Sequence, residues 1–299
     1  MNLNQFKQFN TMGVINITPN SFSDPGYYLD DKTIKDSLVK FLKKPDLIFD
    51  FGFESTAPMN QAISAELERE RFDIFFDQIE DVDFNFRFIS FDTYRPQNFL
   101  YFKEQWSKRY SGCHYLFNDV SGVLDDSLVE LLEQISHEDN FYYLFAFTHI
   151  PSRDLVSKHM NYTENKDDIC ESARIKFIKA HQFFSDFALK ERLIFDPCFG
   201  FSKTYEQNWQ LLEGLPILLK ECKREGISAS WLVGVSKKSF LRKFLQKSHQ
   251  VALQVYSDPF SESEILHENI IRKLLAQNLG HLLFRVHDPE IVERAKFSD

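Results

Sequence analysis

Eight short apolar segments alternate with helix-forming segments along the whole chain, and no linker or change of composition separates them. These segments lack the apolar–polar alternation of half-exposed strands, which is typical of parallel strands covered by helices. Eight such repeats within 299 residues predict a TIM-type (β/α)8 barrel, an α/β fold, as a single domain over residues 1–299. The predicted strands are 11–17, 47–51, 86–91, 113–117, 142–147, 192–195, 231–235 and 282–286.

An open, doubly wound sheet is the alternative fold, because the order of elements does not show whether a sheet closes. Two phosphate-binding motifs that accompany many open sheets, GxGxxG after the first strand and GxxxxGK[ST], are both missing from the sequence. The barrel is therefore favoured. Helices are predicted at 31–43, 65–79, 125–135, 167–187, 205–223, 264–279 and 289–296 and from Pro96 and Ser239, with polar connections at 149–166 and 248–263.

Polar side chains occur where the predicted strands end. In TIM barrels the chemistry takes place at the carboxyl ends of the strands, so side chains located there meet around one site. In DPCFGFSK, residues 196–203, an acidic residue ends an apolar strand, and Pro and Gly precede the next helix. One such residue is explained as a cap on the following helix, whereas a series predicts a functional site. The series comprises Asn16, Thr56, Asp92, Asn118, Asp196, Lys238, Arg285 and His287.

Net charge and cysteine spacing limit the partners of the chain. A formal charge of −9 argues against a general nucleic-acid-binding surface, so an anionic ligand requires local convergence of Lys, Arg and His. The four cysteines have neither a CxxC pair nor zinc spacing, as expected of reduced thiols in a cytoplasmic protein. The sequence has no signal-peptide core and no run of about 18 apolar residues. These features predict small-molecule substrates, no nucleic acid and no membrane.

Seven segments, in the same order, resemble the motifs of the dihydropteroate synthase family. Together they extend over nearly the whole chain, and SKKSF favours the synthase over the pterin-binding domains of methyltransferases, which share some early motifs. The segments are TMGVINITPNSFSDPG (11–26), DFGFESTAP (50–58), ISFDTY (89–94), FNDVSG (117–122), DPCFGFSKTYEQN (196–208), VGVSKKSF (233–240) and RVHD (285–288).

The resemblance implies a pterin-binding transferase of folate biosynthesis, of the kind that sulfonamides target. Its reaction condenses 6-hydroxymethyl-7,8-dihydropterin diphosphate with p-aminobenzoate and yields 7,8-dihydropteroate and diphosphate. The resemblance further implies a homodimer and Mg²⁺ as cofactor. The implied mechanism is dissociative: diphosphate leaves first, and the neutral aniline nitrogen then attacks a pterin cation, so no strong general base is required.

The resemblance also assigns residues to the pterin. Asp196 is implied to accept hydrogen bonds from the aminopyrimidinone edge, with Asp92 and Asn118 completing the pocket. Lys238 is implied to reach the pterin carbonyl. Catalysis is accordingly expected of Lys238, Asp196, Arg285 and His287.

The anion-binding groups are expected at other strand ends. Thr56, Arg285 and His287 are implied to bind the diphosphate, and the last two alternate along one strand, so their side chains face the same side. Asn16 is implied to coordinate Mg²⁺ through its amide oxygen.

The acceptor, p-aminobenzoate, is expected near the helix that begins at Ser239, because free N–H groups at a helix N-terminus favour a carboxylate. Phe199 and Phe201 are expected to line its pocket, although generic packing explains them equally well. Asp24 is implied to close over the site from the first loop.

The acceptor side departs from the family motifs. The second loop is STAPM where the family has STRPG, so Ala57 replaces an arginine and Met59 a glycine. Cys198 replaces a usual glycine, and FTHIPS (147–152) replaces a segment such as MHMRG. Three functions therefore stay open: an active synthase, a pterin-binding homologue with a different acceptor, and an inactive paralogue with a binding role.

Overall fold

Eight parallel strands close into one barrel in the computed structural model, which describes residues 6–18, 38, 41–42, 44, 46–56, 60–82, 84, 87–163, 168–249 and 259–297. Each strand pairs with the next one in sequence, and the last pairs with the first, with Met12 opposite Arg285. The closed barrel confirms the predicted fold class and excludes the open sheet. The strands are β1 (Thr11–Asn16), β2 (Leu47–Gly52), β3 (Phe88–Asp92), β4 (His114–Asp119), β5 (Phe141–Ala146), β6 (Leu193–Asp196), β7 (Ser230–Val233) and β8 (Leu282–Val286).

Helices in the described part of the chain follow the strands from β2 onwards. The predicted helix 31–43 lies outside the described residues, apart from Leu38, Phe41 and Leu42, which are helical. The α-helices are α1 (Ala65–Gln78), α2 (Pro96–Arg109), α3 (Asp126–Ile135), α4 (Ile169–Ser185), α5 (Tyr205–Arg224), α6 (Ser239–His249), α7 (Pro259–Leu275) and α8 (Ile291–Phe297).

Two predicted connections are partly wrong. The polar segment 149–166 contains a 3₁₀ helix, Arg153–Tyr162, in which Arg153, Val156 and His159 are buried, so two of its polar residues contact other parts of the protein rather than solvent. The second connection, predicted at 248–263, overlaps the helix that follows it. That helix was predicted at 264–279 but begins at Pro259 and ends at Leu275. Proline suits this first position, because its missing N–H has no partner there in any helix.

Aromatic side chains fill the space between barrel and helices. Phe72 of α1 stacks on Phe102 of α2 with ring centroids 4.6 Å apart, and both belong to the main hydrophobic cluster. At the amino end of the barrel, Phe6 stacks on Tyr142 at 5.2 Å within a second cluster inside the barrel. Many of the 32 phenylalanines of the chain belong to these two clusters.

The interior of the barrel changes from apolar to polar along the strands. Because side chains alternate across a strand, residues two positions apart face the same side. In five strands an apolar residue of the inner cluster is followed, two residues later, by a polar residue nearer the carboxyl end. This change places hydrogen-bonding groups at one end of an otherwise apolar barrel. The pairs are Ile48 and Asp50, Phe88 and Ser90, Leu116 and Asn118, Ile194 and Asp196, and Leu283 and Arg285.

Candidate active site

One cavity of 660 Å³ lies at the carboxyl ends of the strands, and the predicted site residues within the described part of the chain all line it. The residues come from β1, β3, β4, β6 and β8 and from the loops after β2, β6, β7 and β8. Asp24 and the second-loop residues Ala57 and Met59 lie outside the described residues. The predicted residues that line the cavity are Asn16, Thr56, Asp92, Asn118, Asp196, Phe199, Phe201, Lys238, Ser239, Arg285 and His287.

A buried charge cluster forms the floor of the cavity. Arg285 donates from Nε to Asp50 Oδ2 at 2.6 Å and from Nη2 to Asp92 Oδ2 at 2.6 Å. Asp50 is fully buried and also accepts hydrogen bonds from Ser90 Oγ at 2.6 Å and Asn118 Nδ2 at 3.1 Å. Asp92 and Asn118 therefore bind across the barrel, and helix capping does not explain either of them.

The same cluster shifts the acidity of its members. Burial raises the pKa of Asp92 to about 7, although Arg285 opposes the shift. Burial alone would lower the pKa of Arg285, but Asp50 and Asp92 raise it above its ordinary value. The guanidinium thus stays charged, while Asp92 can exchange a proton near neutrality.

Asp196 is held by the turn that follows β6. Its Oδ1 accepts the backbone N–H of Cys198 at 2.7 Å, and its second oxygen accepts no hydrogen bond within the described part of the chain. Burial raises the pKa of Asp196, against the influence of the Cys198 N–H and of Lys238. Cys198 has φ +54°, a left-handed conformation that glycine adopts without strain. This conformation explains why a glycine suits this position in the family motif.

Lys238 reaches the cavity beside Phe201. Its Nζ lies 4.7 Å from the centroid of the Phe201 ring, and burial lowers its pKa. A Cβ atom on Gly200 would lie 3.3 Å from Lys238 Cδ, so a side chain there would crowd the lysine. The glycine therefore leaves room for the lysine over the loop.

Lys203, which the sequence analysis did not single out, stabilises the loop that follows β6. It is buried and donates to the backbone carbonyls of Phe147 at 2.6 Å and of Cys198 and Phe201 at 3.0 Å. Burial lowers its pKa to about 8. Because its three donors are used by the backbone, Lys203 fixes the loop rather than contacting a ligand.

His287 is a neutral member of the site. Its Nδ1 lies 3.0 Å from Ser236 Oγ. Burial, together with the positive charges of Lys237 and Arg285, lowers its pKa to about 3. It can therefore exchange hydrogen bonds with an anion but does not contribute a positive charge.

His159 and Arg153 are further residues that sequence reasoning missed. His159 lines the cavity, stacks on Phe201 with centroids 4.2 Å apart, and accepts the Ser202 N–H on Nδ1 at 3.2 Å. Burial and the charges of Lys238 and Lys203 lower its pKa to about 4.

Arg153 donates to Asp119 at 2.7 Å and to two backbone carbonyls, and so fastens the loops after β3 and β4. Both lie in a segment whose polar composition alone gave no sign of burial.

The base of the second loop is fixed by ionic contacts. Arg95 Nη1 binds Glu54 at 2.5 Å and Glu68 at 2.8 Å, and Nη2 donates to the Ile63 carbonyl at 2.6 Å. Tyr94 Oη donates to Glu54 at 3.1 Å. The carboxylate of Glu54, which also lines the cavity, therefore stabilises the loop through its contacts with Arg95 and Tyr94.

Asn16 offers one amide oxygen at the end of β1, and this residue is exposed in the cavity. Among the described residues no group of three His, Cys, Asp or Glu side chains is arranged to hold a metal ion. This donor set fits an ion that arrives with an anionic substrate better than one held by protein ligands. In the same ranges, no helix is both long and apolar enough to cross a membrane.

Comparison with known proteins finds a single family over most of the chain. A family model described as pterin binding enzyme matches residues 12–287. Dihydropteroate synthase of Synechocystis sp. is 31% identical over 250 residues, which is 81% of this chain and 76% of that protein. The mitochondrial folate synthesis bifunctional protein of Pisum sativum is 29% identical over 246 residues, 80% of this chain but 45% of that protein. The chain thus spans less than half the length of this plant relative.

The solved structures agree on the fold. A Yersinia pestis dihydropteroate synthase in complex with a sulfonamide drug superposes with a TM-score of 0.72 at 21% identity, over 99% of this chain and 93% of that one. At this level of identity the superposition supports the barrel alone. The family match over residues 12–287 and the 31% identical relative carry the assignment: the chain belongs to the pterin binding enzyme family and, within it, to the dihydropteroate synthase family.

Proposed function

We propose that this protein is an active dihydropteroate synthase that joins 6-hydroxymethyl-7,8-dihydropterin diphosphate to p-aminobenzoate. The observation that carries the proposal is the convergence of Asp92, Asn118, Asp196 and Lys238 on one cavity in a chain of this family. The activity is a property proposed for this chain, which spans less than half of its plant bifunctional relative. Residues 1–299 are taken as one catalytic domain.

The pterin would bind with its aminopyrimidinone edge toward Asp196. This edge presents several N–H donors, and the free carboxylate oxygen of Asp196 is a suitable acceptor. Asp92 and Asn118 offer further polar atoms on the adjacent wall, both already oriented by Arg285 and Asp50. Lys238, whose Nζ lies beside Phe201, would donate to the pterin carbonyl. A pocket with its polar groups already fixed loses little entropy when the ligand binds.

Departure of the diphosphate requires donors that stabilise the growing charge on the leaving oxygen. Thr56, His287 and the remaining N–H groups of Arg285 are the proposed donors. Asn16 would hold Mg²⁺ together with the diphosphate and water, and the ion would supply further neutralisation of the leaving group. The resulting pterin cation is attacked by the uncharged amine of the acceptor, so the reaction requires no strong general base.

The acceptor would lie against Phe201 and the N-terminus of α6. Ser239 begins this helix, so its N–H is among those that lack a partner within the helix. The p-aminobenzoate carboxylate would accept from these groups. Phe199 is fully buried and packs with Phe240 at 6.2 Å, so it supports the wall from behind. Inhibition by sulfonamides, a homodimeric assembly and a cytoplasmic location are further parts of the proposal.

Turnover by the purified protein tests the proposal. Incubation with the pterin diphosphate, p-aminobenzoate and Mg²⁺ is expected to release diphosphate and form 7,8-dihydropteroate in equal amounts, which chromatography and a phosphate-coupled assay measure. Release of diphosphate without pteroate would indicate a different acceptor. Tight pterin binding with neither product would contradict the enzyme and support a binding role.

Pterin binding is expected to release a proton near pH 7 because the pKa of Asp92 lies at about 7 in the free protein. Below that pH the carboxyl is protonated, and a ligand whose N–H groups donate to it must displace the proton. Affinity should therefore rise with pH up to about 7, by at most about tenfold per pH unit. Calorimetry at pH 7 in two buffers of different ionisation enthalpy measures the number of protons released on binding.

The matched variant for this experiment is Asp92→Asn, which keeps the size of the side chain and removes its titration. Its apparent binding enthalpy should differ less between the two buffers than that of wild type, because only Asp196, whose pKa burial also raises, then remains to release a proton. Equal wild-type affinity at pH 6 and pH 8 would exclude Asp92 as an acceptor for the pterin.

A further inference from the structure

Phe201, the residue proposed as a wall of the acceptor pocket, lies in a loop whose backbone is held separately from its ring. The loop follows β6, and Lys203 Nζ donates to the Phe201 carbonyl at 3.0 Å. That hydrogen bond fixes the backbone and leaves rotation about the side-chain bonds open. Phe201 is partly buried and lines the cavity, so the orientation of its ring decides the shape of the pocket on this side.

The ring of Phe201 is covered by that of His159, which belongs to the 3₁₀ helix after β5. The two centroids are 4.2 Å apart and the ring planes are 27° from parallel, which is a stacked arrangement. His159 is only 1% exposed, so its ring has no solvent into which to turn away. Stacked aromatic pairs contribute more than the apolar area that they bury. His159 therefore restricts the orientation of Phe201.

Two hydrogen bonds connect His159 with Ser202, the neighbour of Phe201. His159 Nδ1 accepts the Ser202 N–H at 3.2 Å, and Ser202 Oγ donates to the His159 carbonyl at 3.1 Å. Ser202 has φ +52°, a left-handed conformation that is unfavourable for a residue other than glycine and persists where its surroundings hold it. The bonds to His159 provide such support next to Phe201.

The 3₁₀ helix is itself anchored to the barrel loops. Arg153 Nη1, at its first residue, binds Asp119 at 2.7 Å, and Val156 belongs to the same apolar cluster as Cys198. Phe201 packs against that cluster. The 3₁₀ helix and the loop after β6 are therefore one packed unit, and His159 is its contact with the ring of Phe201.

Lys238 contacts the same ring, with its Nζ 4.7 Å from the Phe201 centroid. A charged imidazole at this place would add a second positive charge close to the lysine. Burial and the charge of Lys238 lower the pKa of His159 to about 4, so the imidazole is neutral near pH 7. His159 thus stacks on Phe201 without repelling Lys238.

We propose that His159 is a positioning residue for the acceptor: its stack on Phe201 holds the ring against which p-aminobenzoate binds. The inference rests on the proposed synthase function and deepens it. It assigns a role in acceptor binding to the segment after FTHIPS (147–152), where the chain departs from the family motifs. His159 acts through Phe201 and not by contact with the reacting atoms.

Two substitutions separate the ring of His159 from its hydrogen bond. His159→Asn keeps an acceptor close to the position of Nδ1 and removes the ring, whereas His159→Phe keeps a ring and removes the acceptor. In steady-state kinetics, His159→Asn should raise the KM for p-aminobenzoate about fivefold, or about 1 kcal/mol. The kcat and the KM for the pterin diphosphate should change less than about twofold, because only acceptor binding is weakened. His159→Phe should recover most of the lost affinity.

A Phe201→Ala background tests whether His159 acts through Phe201. In that background His159→Asn should raise the KM for p-aminobenzoate no further, because the ring that it positions is absent. A further rise as large as in wild type would overturn the positioning role. His137→Asn, the same change at an exposed histidine after α3 that does not line the cavity, is the matched control and should behave as wild type.

Three other results would also contradict the inference. A His159→Asn protein with the KM of the control would show that the stack has no influence on the acceptor. Equal rises in KM for both substrates would indicate a general structural defect. If His159→Phe were impaired as strongly as His159→Asn, the effect would belong to the hydrogen bond with Ser202 and not to the stack.

The proposed synthase function can fail separately. If wild type forms no pteroate, that function is contradicted, and calorimetry of p-aminobenzoate binding in the presence of diphosphate and Mg²⁺ then tests His159. Binding about fivefold weaker to His159→Asn than to wild type and His159→Phe would support the positioning role. Equal binding to the three proteins, or binding to none of them, would overturn it. An active wild type with unaffected variants would overturn the positioning role alone.

Discussion

Replacement of Asp50 by alanine is expected to lower the free energy of unfolding by about 3–5 kcal/mol and to abolish pteroate formation, because it breaks a buried ion pair. Asp50 is fully buried and accepts from Ser90, Asn118 and Arg285. Without it, Arg285 keeps Asp92 as its single carboxylate partner among the contacts described above, and Asn118 loses the group that orients its amide. The change thus damages both the core and the pterin wall.

Chemical denaturation followed by circular dichroism measures the effect of this substitution on stability. Ser90→Ala is the matched control, since it removes one neutral donor to the same carboxylate and should cost about 1.5–3 kcal/mol, less than loss of the carboxylate itself. Asp50→Asn should fall between the two, because it keeps the volume and one acceptor while losing the charge. If Asp50→Ala is no less stable than Ser90→Ala, the carboxylate does not stabilise the buried cluster.

The barrel and the location of the site follow from local sequence. Each strand is a short apolar run, and the polar residue at its end is adjacent in sequence, so both are visible without knowledge of distant contacts. The strand boundaries accordingly agree with the predicted ones to within two residues at each end. The convergence of Asn16, Asp92, Asn118, Asp196 and Arg285 on one cavity follows once the barrel closes.

Asp50 is visible in the sequence as an acid at the end of an apolar strand, but no role was predicted for it. It lies two residues before the end of β2, inside the apolar run LIFDFG, and its partner Arg285 is 235 positions away. The available signal was the alternation along β2, which places Asp50 on the same face as Ile48 and therefore inside the barrel. Its engagement with Arg285, however, depends on the closure between β8 and β1, and no local pattern reveals that contact.

The burial of the segment after β5 was harder to predict from the sequence, for a different reason. Its polar residues suggested an exposed connection, yet Arg153 and His159 are buried because they bind groups from other loops. A buried polar residue is stable only with such partners, and those partners are distant in sequence. The fit between His159, Phe201 and Ser202 therefore emerges only from the assembled loops.

Arg285 organises the carboxylates on the pterin side of the cavity. It binds Asp50 and Asp92 at 2.6 Å each, and Asp50 in turn accepts from Asn118. The hydrogen-bonding groups of this wall are therefore oriented before a ligand binds.

The pterin wall is tested most directly by Asp196→Asn, which is expected to weaken pterin binding at least about 100-fold, or about 3 kcal/mol. The amide retains one oxygen, which can still accept the Cys198 N–H, so the turn after β6 should keep its conformation. The group that faces the ligand, however, becomes an N–H donor opposite the N–H donors of the pterin edge, and neither side then has an acceptor.

Binding of neutral 6-hydroxymethyl-7,8-dihydropterin, measured by calorimetry, isolates this effect from the diphosphate. Asp186→Asn, the same change at an exposed residue after α4, should bind the pterin as wild type does. Denaturation midpoints of the two variants should differ little, because Asp196 is not part of the buried Asp50–Arg285 cluster. Unchanged pterin affinity in a folded Asp196→Asn protein would remove Asp196 from the binding site, and the recognition edge would then have to be Asp92 and Asn118 alone.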